Sequence, residues 1–225
     1  MKISYLVSCH NEVRTLSNLA VLLFHGKTDK DEIIILDDFS DDLKTQEILK
    51  VASASGATLF QHSLNNDYGA HKNFGIEKCS GDFIFQLDAD ELPPESLLGE
   101  NLHSLIENNP NTEAFAVPRI NDFRGVTEQH ARQWGWRLTI SPTHNRPVVN
   151  FPDYQFRVFK RDYPRISFLR RLHEKIEGYT SFLTLPPEEE YALYHDKTIE
   201  TQVKTNIRYN QAFTADENKG HSVFK

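Results

Sequence analysis

Short apolar runs alternate with segments of helical period over the first hundred residues. Residues 3–8 form a β-rich run that predicts a buried strand. Leu16, Leu19, Ala20 and Leu23 then fall at i, i+3, i+4 and i+7, one face of a helix. Asn11 is placed to cap that helix, with Glu12 in its first turn and Gly26 at its end. Residues 32–36 predict a second buried strand. Leu43, Ile48, Leu49 and Ala52 predict a second helix that stops at Gly56. A strand over 58–62, a helix over 70–79, a turn at Ser80-Gly81-Asp82 and a fourth strand over 83–87 continue the series. Leu98, Leu102, Leu105 and Ile106 mark another helix behind Pro94. This alternation predicts an α/β fold, a Rossmann-like and mostly parallel sheet with helices on both faces.

The pattern breaks after residue 110. Residues 114–119 read as a strand, but 121–151 hold no clear period. That stretch carries Trp134, Trp136, Pro142, Pro147 and several arginines. It reads as a long loop, or a small subdomain, laid over the sheet. Residues 155–160 alternate and predict a strand. A last helix over 199–213 puts Val203 and Ile207 on one face, and the tail from Asp216 reads as frayed.

Composition places the chain among ordinary globular proteins, with 39% hydrophobic and 25% charged residues in 225. No apolar run approaches the ~18 residues that a membrane span needs. Lys2 is followed by too short an apolar run for a signal peptide. Cys9 and Cys79 make no disulfide framework and no cysteine metal cluster, so a reducing cytoplasm is expected. The net charge of −7 divides unevenly, with −11 over residues 1–118, +7 over 119–175 and −3 over 176–225. An acidic half followed by a basic stretch predicts two surfaces with different partners.

Parallel sheets bind ligands beyond the carboxyl ends of their strands. Three such ends are polar here: Cys9-His10-Asn11-Glu12, Asp37-Asp38 and Asp88-Ala89-Asp90. Two carboxylates flanking one small residue after an apolar strand suit a divalent cation. Their hard oxygens favour Mn²⁺ or Mg²⁺, shared with a substrate phosphate. The competing reading is an acidic strand-to-helix loop. No glycine precedes Gly26, so the dinucleotide fingerprint is missing, and there is no P-loop. A phosphate-bearing ligand would then need a metal more than a glycine cradle.

The order of these motifs resembles family 2 glycosyltransferases of the GT-A fold. The opening strand with Asn11-Glu12, the second with Asp37-Asp38-Phe39-Ser40, Ala70-His71-Lys72-Asn73-Phe74-Gly75, and the strand ending Asp88-Ala89-Asp90-Glu91 match its motifs in order. Lys72 stands where arginine is usual. Farther on, Arg157-Val158-Phe159-Lys160, His173-Glu174 and His195 resemble the branch that includes lipopolysaccharide-core glucosyltransferases. The resemblance implies one GT-A domain with a nucleotide-sugar-binding half at 1–118. An acceptor-binding and catalytic half follows at 119–225, with a basic loop at 119–150 and the C-terminal helix. It implies metal-dependent, inverting transfer of a sugar from a UDP-type nucleotide sugar to an acceptor hydroxyl. Ser8, Cys9, Asn11, Glu12, Asp38, Lys72 and Asp88 would bind the donor, with Asp38 accepting from the imide N–H of uracil. Asp90 would hold the metal, supported by Asp88 and His195. Glu174 would be the general base, with His173 as the alternative. A packed core histidine is the competing reading of His195, and a surface partner of Lys175 or Arg171 that of Glu174.

The stretch at 119–150 departs from the family. Arg119, Arg124, Arg132, Arg137 and Arg146 are interleaved with His130, Trp134, Trp136 and His144. Arginines among aromatic rings suit an anionic, partly flat partner. The acceptor is therefore expected to be a polyanion, either a nucleic acid with a hydroxylated base or a phosphorylated glycan such as a lipopolysaccharide core. Arg132, Trp134, Trp136 and Arg137 would touch it, and a base inside a duplex would have to be extruded. The competing reading pairs these arginines with the protein's own acidic half. Two other function classes remain, a sugar nucleotidyltransferase and a non-catalytic nucleotide-sugar-binding module.

Overall fold

The computed structural model describes residues 1–141 and 145–218. The first part runs β1 (Ile3–Cys9), α1 (Arg14–Gly26), β2 (Glu32–Asp37), α2 (Leu43–Ala54), β3 (Thr58–Gln61), α3 (Tyr68–Lys78), β4 (Phe83–Asp88), β5 (Glu91–Leu92), α4 (Gly99–Glu107) and β6 (Ala114–Val117). The rest runs β7 (Arg119–Arg124), α5 (Glu128–Trp134), β8 (Leu138–Ile140), β9 (Pro147–Val149), β10 (Gln155–Lys160), β11 (Ser167–Leu169), β12 (Lys175–Glu177), β13 (Phe182–Thr184), β14 (Leu193–Thr198) and α6 (Ile199–Ala212).

The large sheet has the order β13-β6-β10-β4-β1-β2-β3. Strands β4, β1, β2 and β3 are mutually parallel, and β10 runs antiparallel to both β4 and β6. The central strands read as unbroken apolar runs because both of their faces are covered. Ile3, Tyr5 and Val7 pack with Leu16, Leu19 and Leu23 of α1 and Leu49 of α2. Leu6, Ile34 and Leu36 point the other way and pack with Ile76 of α3. Gly75 makes the second contact possible, since a Cβ there would meet Leu6 at 2.8 Å. The mostly parallel α/β sheet read from the sequence is present, with helices on both faces.

Of the two forms expected for the basic stretch, the structure has the small subdomain and not the loop. A second sheet, β5-β14-β7-β9-β8, contains most of it, with α5 between β7 and β8. Its strands β8 and β9 are three residues long, too short for alternation to show, and α5 has under two turns. The halves expected at 1–118 and 119–225 interleave, because β10 enters the large sheet and β5 joins the small one. His144 and Pro142, singled out above, lie outside the described residues.

Three further expectations change. Asn11 does not cap α1: Val13 stands at the N-cap, and Thr15 N donates to Glu12 Oε1 at 3.5 Å. Asn11 adopts a left-handed φ of 49° and its Oδ1 accepts from Asp41 N and Asp42 N, both at 3.0 Å. It thus ties the β1 end to the start of α2. Val203 and Ile207 face outward, 36% and 53% exposed, while the opposite face of α6 covers the ligand cleft. The first residues of the tail are held, as far as Asn218: Asn218 N donates to Thr214 O at 3.0 Å, and Glu217 pairs with Arg171. The remainder of the tail, 219–225, lies outside the described residues. No described helix is long and apolar enough to cross a membrane.

Candidate active site

The carboxyl ends of β1, β2 and β4 open into one cleft of about 950 Å³, closed on the far side by β10, residues 173–176, β14 and α6. Ser8, Cys9, Glu12, Asp38, Lys72, Asp88, Asp90, His173, Glu174 and His195 all line it. Arg132, Trp134, Trp136 and Arg137 do not. Their rings form a row that reaches the cleft edge only through Phe123: His130 stacks on Trp134, Trp134 meets Trp136 at 4.7 Å, Trp136 meets Phe123, and Phe123 meets His195 edge-on.

The paired aspartates after β2 have different duties. Asp37 is buried and accepts from the Ser40 hydroxyl at 2.5 Å and from Gln61 at 3.2 Å, which shapes the turn. Asp38 lies in the cleft, where Oδ1 accepts from Leu64 N at 2.8 Å and Oδ2 stands 3.8 Å from His10 Nδ1. Cys9 is inert, since burial and Asp37 push its thiol up. Ser8 brings a buried hydroxyl that has no hydrogen-bond partner among the described residues.

His71 sits beside Asp38's side of the cleft, with its Nδ1 3.3 Å from that of His62. Burial, countered in part by Asp38, pushes its imidazole down from 6.5 to about 4. An unfolded chain takes up this proton as pH falls through 6.5, and the folded protein only near 4. The neutral ring's contribution is complete above the first value and is lost as pH falls toward the second. The His71→Asn variant should therefore lose less stability than the parent between about pH 7.5 and 4.5 in urea titrations. Equal losses would remove His71 as a source of acid sensitivity.

A chain of buried charges forms the cleft floor. Lys72, 3% exposed, donates to Glu174 at 2.6 Å and pairs with Asp88 at 2.9 Å. Arg157 pairs with Asp88 at 2.8 Å and with Glu91 at 2.5 Å, and also donates to Gln86. Arg119 continues from Glu91 at 2.8 Å to Asp153 at 2.6 Å. Burial opposes the charge on Asp88, but Arg157 and Lys72 outweigh it and hold the carboxyl well below its usual range. Burial likewise opposes charge on Lys72, and Asp88 and Glu174 more than restore it. Glu174 is therefore no surface partner of Lys175 or Arg171. His173 precedes it with a left-handed φ of 52°, a strained conformation that turns the chain at the cleft edge.

Asp90 and His195 form the other end of the site. Asp90 Oδ2 lies 3.1 Å from His195 Nε2. Burial raises the Asp90 carboxyl, but the charge and hydrogen bond of His195 hold it at about 2. The opposite ring nitrogen, Nδ1, is 2.8 Å from Asn121 Oδ1. The Asn121 amide NH₂ donates to Val149 O at 3.2 Å and Asp153 Oδ2 at 2.9 Å, so Oδ1 is the acceptor and Nδ1 carries a proton. In the neutral ring the Nε2 lone pair then faces a carboxylate. That arrangement needs a proton or a cation between them. One imidazole nitrogen and one carboxylate oxygen fit a Mn²⁺ or Mg²⁺ ion that completes its shell with substrate phosphate. No group of three or more His, Cys, Asp or Glu placed to hold a metal alone occurs among the described residues. Asp88 is committed to Lys72 and Arg157.

Arg157, Glu91, Arg119, Asp153 and Asn121 were not singled out as site residues. Arg157 carries two signals in the sequence, its place in the family-like Arg157-Val158-Phe159-Lys160 and a charge inside the alternating strand 155–160. Glu91 follows the triplet directly yet is fully buried.

The glycosyl transferase family 2 model matches residues 4–169, about three quarters of the chain. The chain belongs to glycosyl transferase family 2. That membership sets the sugar nucleotidyltransferase reading aside. The glycosyltransferase is 35% identical over 143 residues to an undecaprenyl-phosphate 4-deoxy-4-formamido-L-arabinose transferase of Pseudomonas fluorescens, covering 58% of this chain and 37% of the relative. It is 39% identical over 140 residues to a protein of the same name from Aeromonas hydrophila, covering 58% and 39%. The chain thus matches about two fifths of the length of these relatives. Its fold matches S. aureus TarS in complex with UDP-GlcNAc, with a TM-score of 0.59 and 16% identity over 88% of this chain and 58% of that one. It also matches glucosyl-3-phosphoglycerate synthase from Mycobacterium tuberculosis, in complex with Mn²⁺, UDP and glucosyl-3-phosphoglycerate. That TM-score is 0.54, at 17% identity, over 92% of this chain and 76% of the other.

Proposed function

We propose that this glycosyltransferase moves a sugar from a UDP-sugar to a hydroxyl of a phosphate-bearing acceptor, with inversion, and that Glu174 is the base. One observation carries this. A single buried ammonium, Lys72, joins Asp88 at the strand end to Glu174 across the cleft, at 2.9 and 2.6 Å. A carboxylate is thereby held in place opposite the donor end, where an attacking hydroxyl must lose its proton. Asp38 would take the imide N–H of uracil. The UDP complexes of the two fold neighbours support that donor class.

Asp90 and His195 would hold the divalent cation, which when bound supplies neutralising charge to the departing diphosphate. Lys197 and Arg208 line the same cleft, and neither forms an ion pair among the described residues. Lys72, Arg119 and Arg157 are all neutralised by carboxylates. Lys197 and Arg208 are therefore the cations assigned to the diphosphate, a role first considered for Lys72.

The acceptor reading moves away from nucleic acid. Arg119 pairs with Glu91 and Asp153, Arg124 with Asp196, Arg146 with Asp122 and Arg132 with Glu128. The arginine run thus spends most of its charge inside the protein, which withdraws the support it lent to a polyanion surface. A phosphorylated glycan or lipid remains. The relatives' name, undecaprenyl-phosphate transferase, favours a second reading in which a lipid phosphate oxygen itself attacks. Such an oxygen is already ionised and needs no base.

Turnover with UDP-sugars and Mn²⁺ tests both. With a hydroxyl acceptor, Glu174→Gln should lower kcat by about 10²–10⁴-fold and leave UDP affinity unchanged. Transfer to a polyprenyl phosphate at the parent rate in Glu174→Gln would select the second reading. A panel of UDP-sugars that yields no UDP with any acceptor would overturn the donor assignment.

A further inference from the structure

We infer that Asn121 is a positioning residue that sets the tautomer of His195 and presents the bare Nε2 to a divalent cation beside Asp90. This rests on the reading of Asp90 and His195 as that cation's ligands. The two side chains are brought together by strand pairing, not by sequence, since β7 and β14 run parallel with Asn121 in register with His195. Both residues are buried, at 4% and 7% exposure, so water does not compete for the contact.

A primary amide can present either its oxygen or its nitrogen to a ring nitrogen. Here the choice is forced from the far side. The Asn121 NH₂ group faces Val149 O and the Asp153 carboxylate, and both are acceptors only. Turning the amide over would set its oxygen against two others. Asp153 is itself held by Arg119 and by Gln155 at 3.1 Å, so the anchor is rigid. Phe123 closes the remaining side of the imidazole edge-on, with ring centroids 5.5 Å apart. The ring then has one orientation, with Nδ1–H toward Asn121 and Nε2 toward Asp90. Outer partners of this kind fix ligand orientation and raise ligand basicity.

Removing the amide oxygen frees the ring to carry its proton on Nε2. That proton would donate to Asp90 and occupy the lone pair and one carboxylate oxygen together. Asn121→Leu, close in shape and apolar, tests this. Asn121→Asp is its counterpart, because a carboxyl sharing one proton with Asp153 still accepts from Nδ1–H.

Long-range ¹H–¹⁵N spectra of metal-free protein, recorded where they show a single ring proton, read the tautomer directly. The parent and Asn121→Asp should show Nδ1 protonated and Nε2 bare, and Asn121→Leu the reverse or a mixture. Mn²⁺ titration followed by EPR, in the presence of UDP, should show a loss of about 10–100-fold in Asn121→Leu and at most a few-fold change in Asn121→Asp. A parent protein with Nε2 protonated overturns the inference, as does Mn²⁺ affinity within twofold of the parent in Asn121→Leu. Failure of Mn²⁺ to bind the parent at all, with the tautomer as stated, would instead overturn the cation reading. If Asn121→Leu does not fold, the parent spectrum and Asn121→Asp decide the matter.

Discussion

Arg157→Met should destabilise the protein by about 3–5 kcal/mol, the cost of breaking a buried pair by removing one partner. Arg157 is 5% exposed and Glu91 is fully buried. The guanidinium serves three groups at once: the Gln86 amide oxygen, Asp88 and Glu91. Methionine fills most of the volume, so the loss is electrostatic rather than a cavity. Glu91 keeps Arg119, but Asp88 keeps only Lys72, and two carboxylates share a site that has lost one of its cations. The loss is a large share of the ~5–15 kcal/mol that holds a typical domain together. Thermal unfolding should drop by roughly 6–20 °C at this chain length. Lys160→Met, on the same strand but exposed, is the control and should stay within about 0.5 kcal/mol of the parent. A melting temperature equal to that of the control would show that the charge chain contributes nothing to folding.

Asp90→Asn should abolish turnover while leaving the fold intact. The substitution keeps shape and removes one charge at the mouth of the cleft, where Asp90 is partly exposed rather than part of the core. A cation site built from one carboxylate and one imidazole does not survive the loss of its carboxylate. If the cation supplies about 4 kcal/mol of charge stabilisation to the leaving group, UDP release from a UDP-sugar falls by about 10³-fold. Chelation of the parent protein should give the same loss, and excess Mn²⁺ should restore the parent but not the variant. The melting temperature should change little, in contrast to Arg157→Met. Parent-like turnover in Asp90→Asn would exclude a catalytic cation at this position.

These two residues differ in how visible they were. Asp90 stands out because a buried strand must end in turn residues, and a carboxylate on either side of an alanine is conspicuous there. Arg157 lies within a strand that reads as ordinary alternation. The central strands were legible because burial on both faces leaves an unbroken apolar run over residues 3–8, 32–36 and 83–87. The strands β8, β9, β11, β12 and β13 escaped notice because three residues carry no measurable period. The arginines of 119–150 looked like a binding surface because their partners, Glu91, Asp122, Asp153 and Asp196, are scattered along the chain. Val203 and Ile207 fall on one face of α6, but the cleft takes the polar face instead, with Thr201, Thr205, Arg208 and Tyr209.

The chain's pattern alone determined the parallel α/β sheet, the family-like order of its motifs and the strand end that carries Asp88 and Asp90. These are local properties, written in consecutive residues and their period. Tertiary structure decided which charges meet. Lys72 and Glu174 are 102 residues apart, Asn121 and His195 are 74 apart, and Asp88 and Arg157 are 69 apart. Electrostatic energy depends on distance in space and on burial, and neither is encoded by proximity along the chain. For that reason Lys72, which the motif order marks as a donor-binding residue, becomes the buried cation joining the donor end of the cleft to its proposed base.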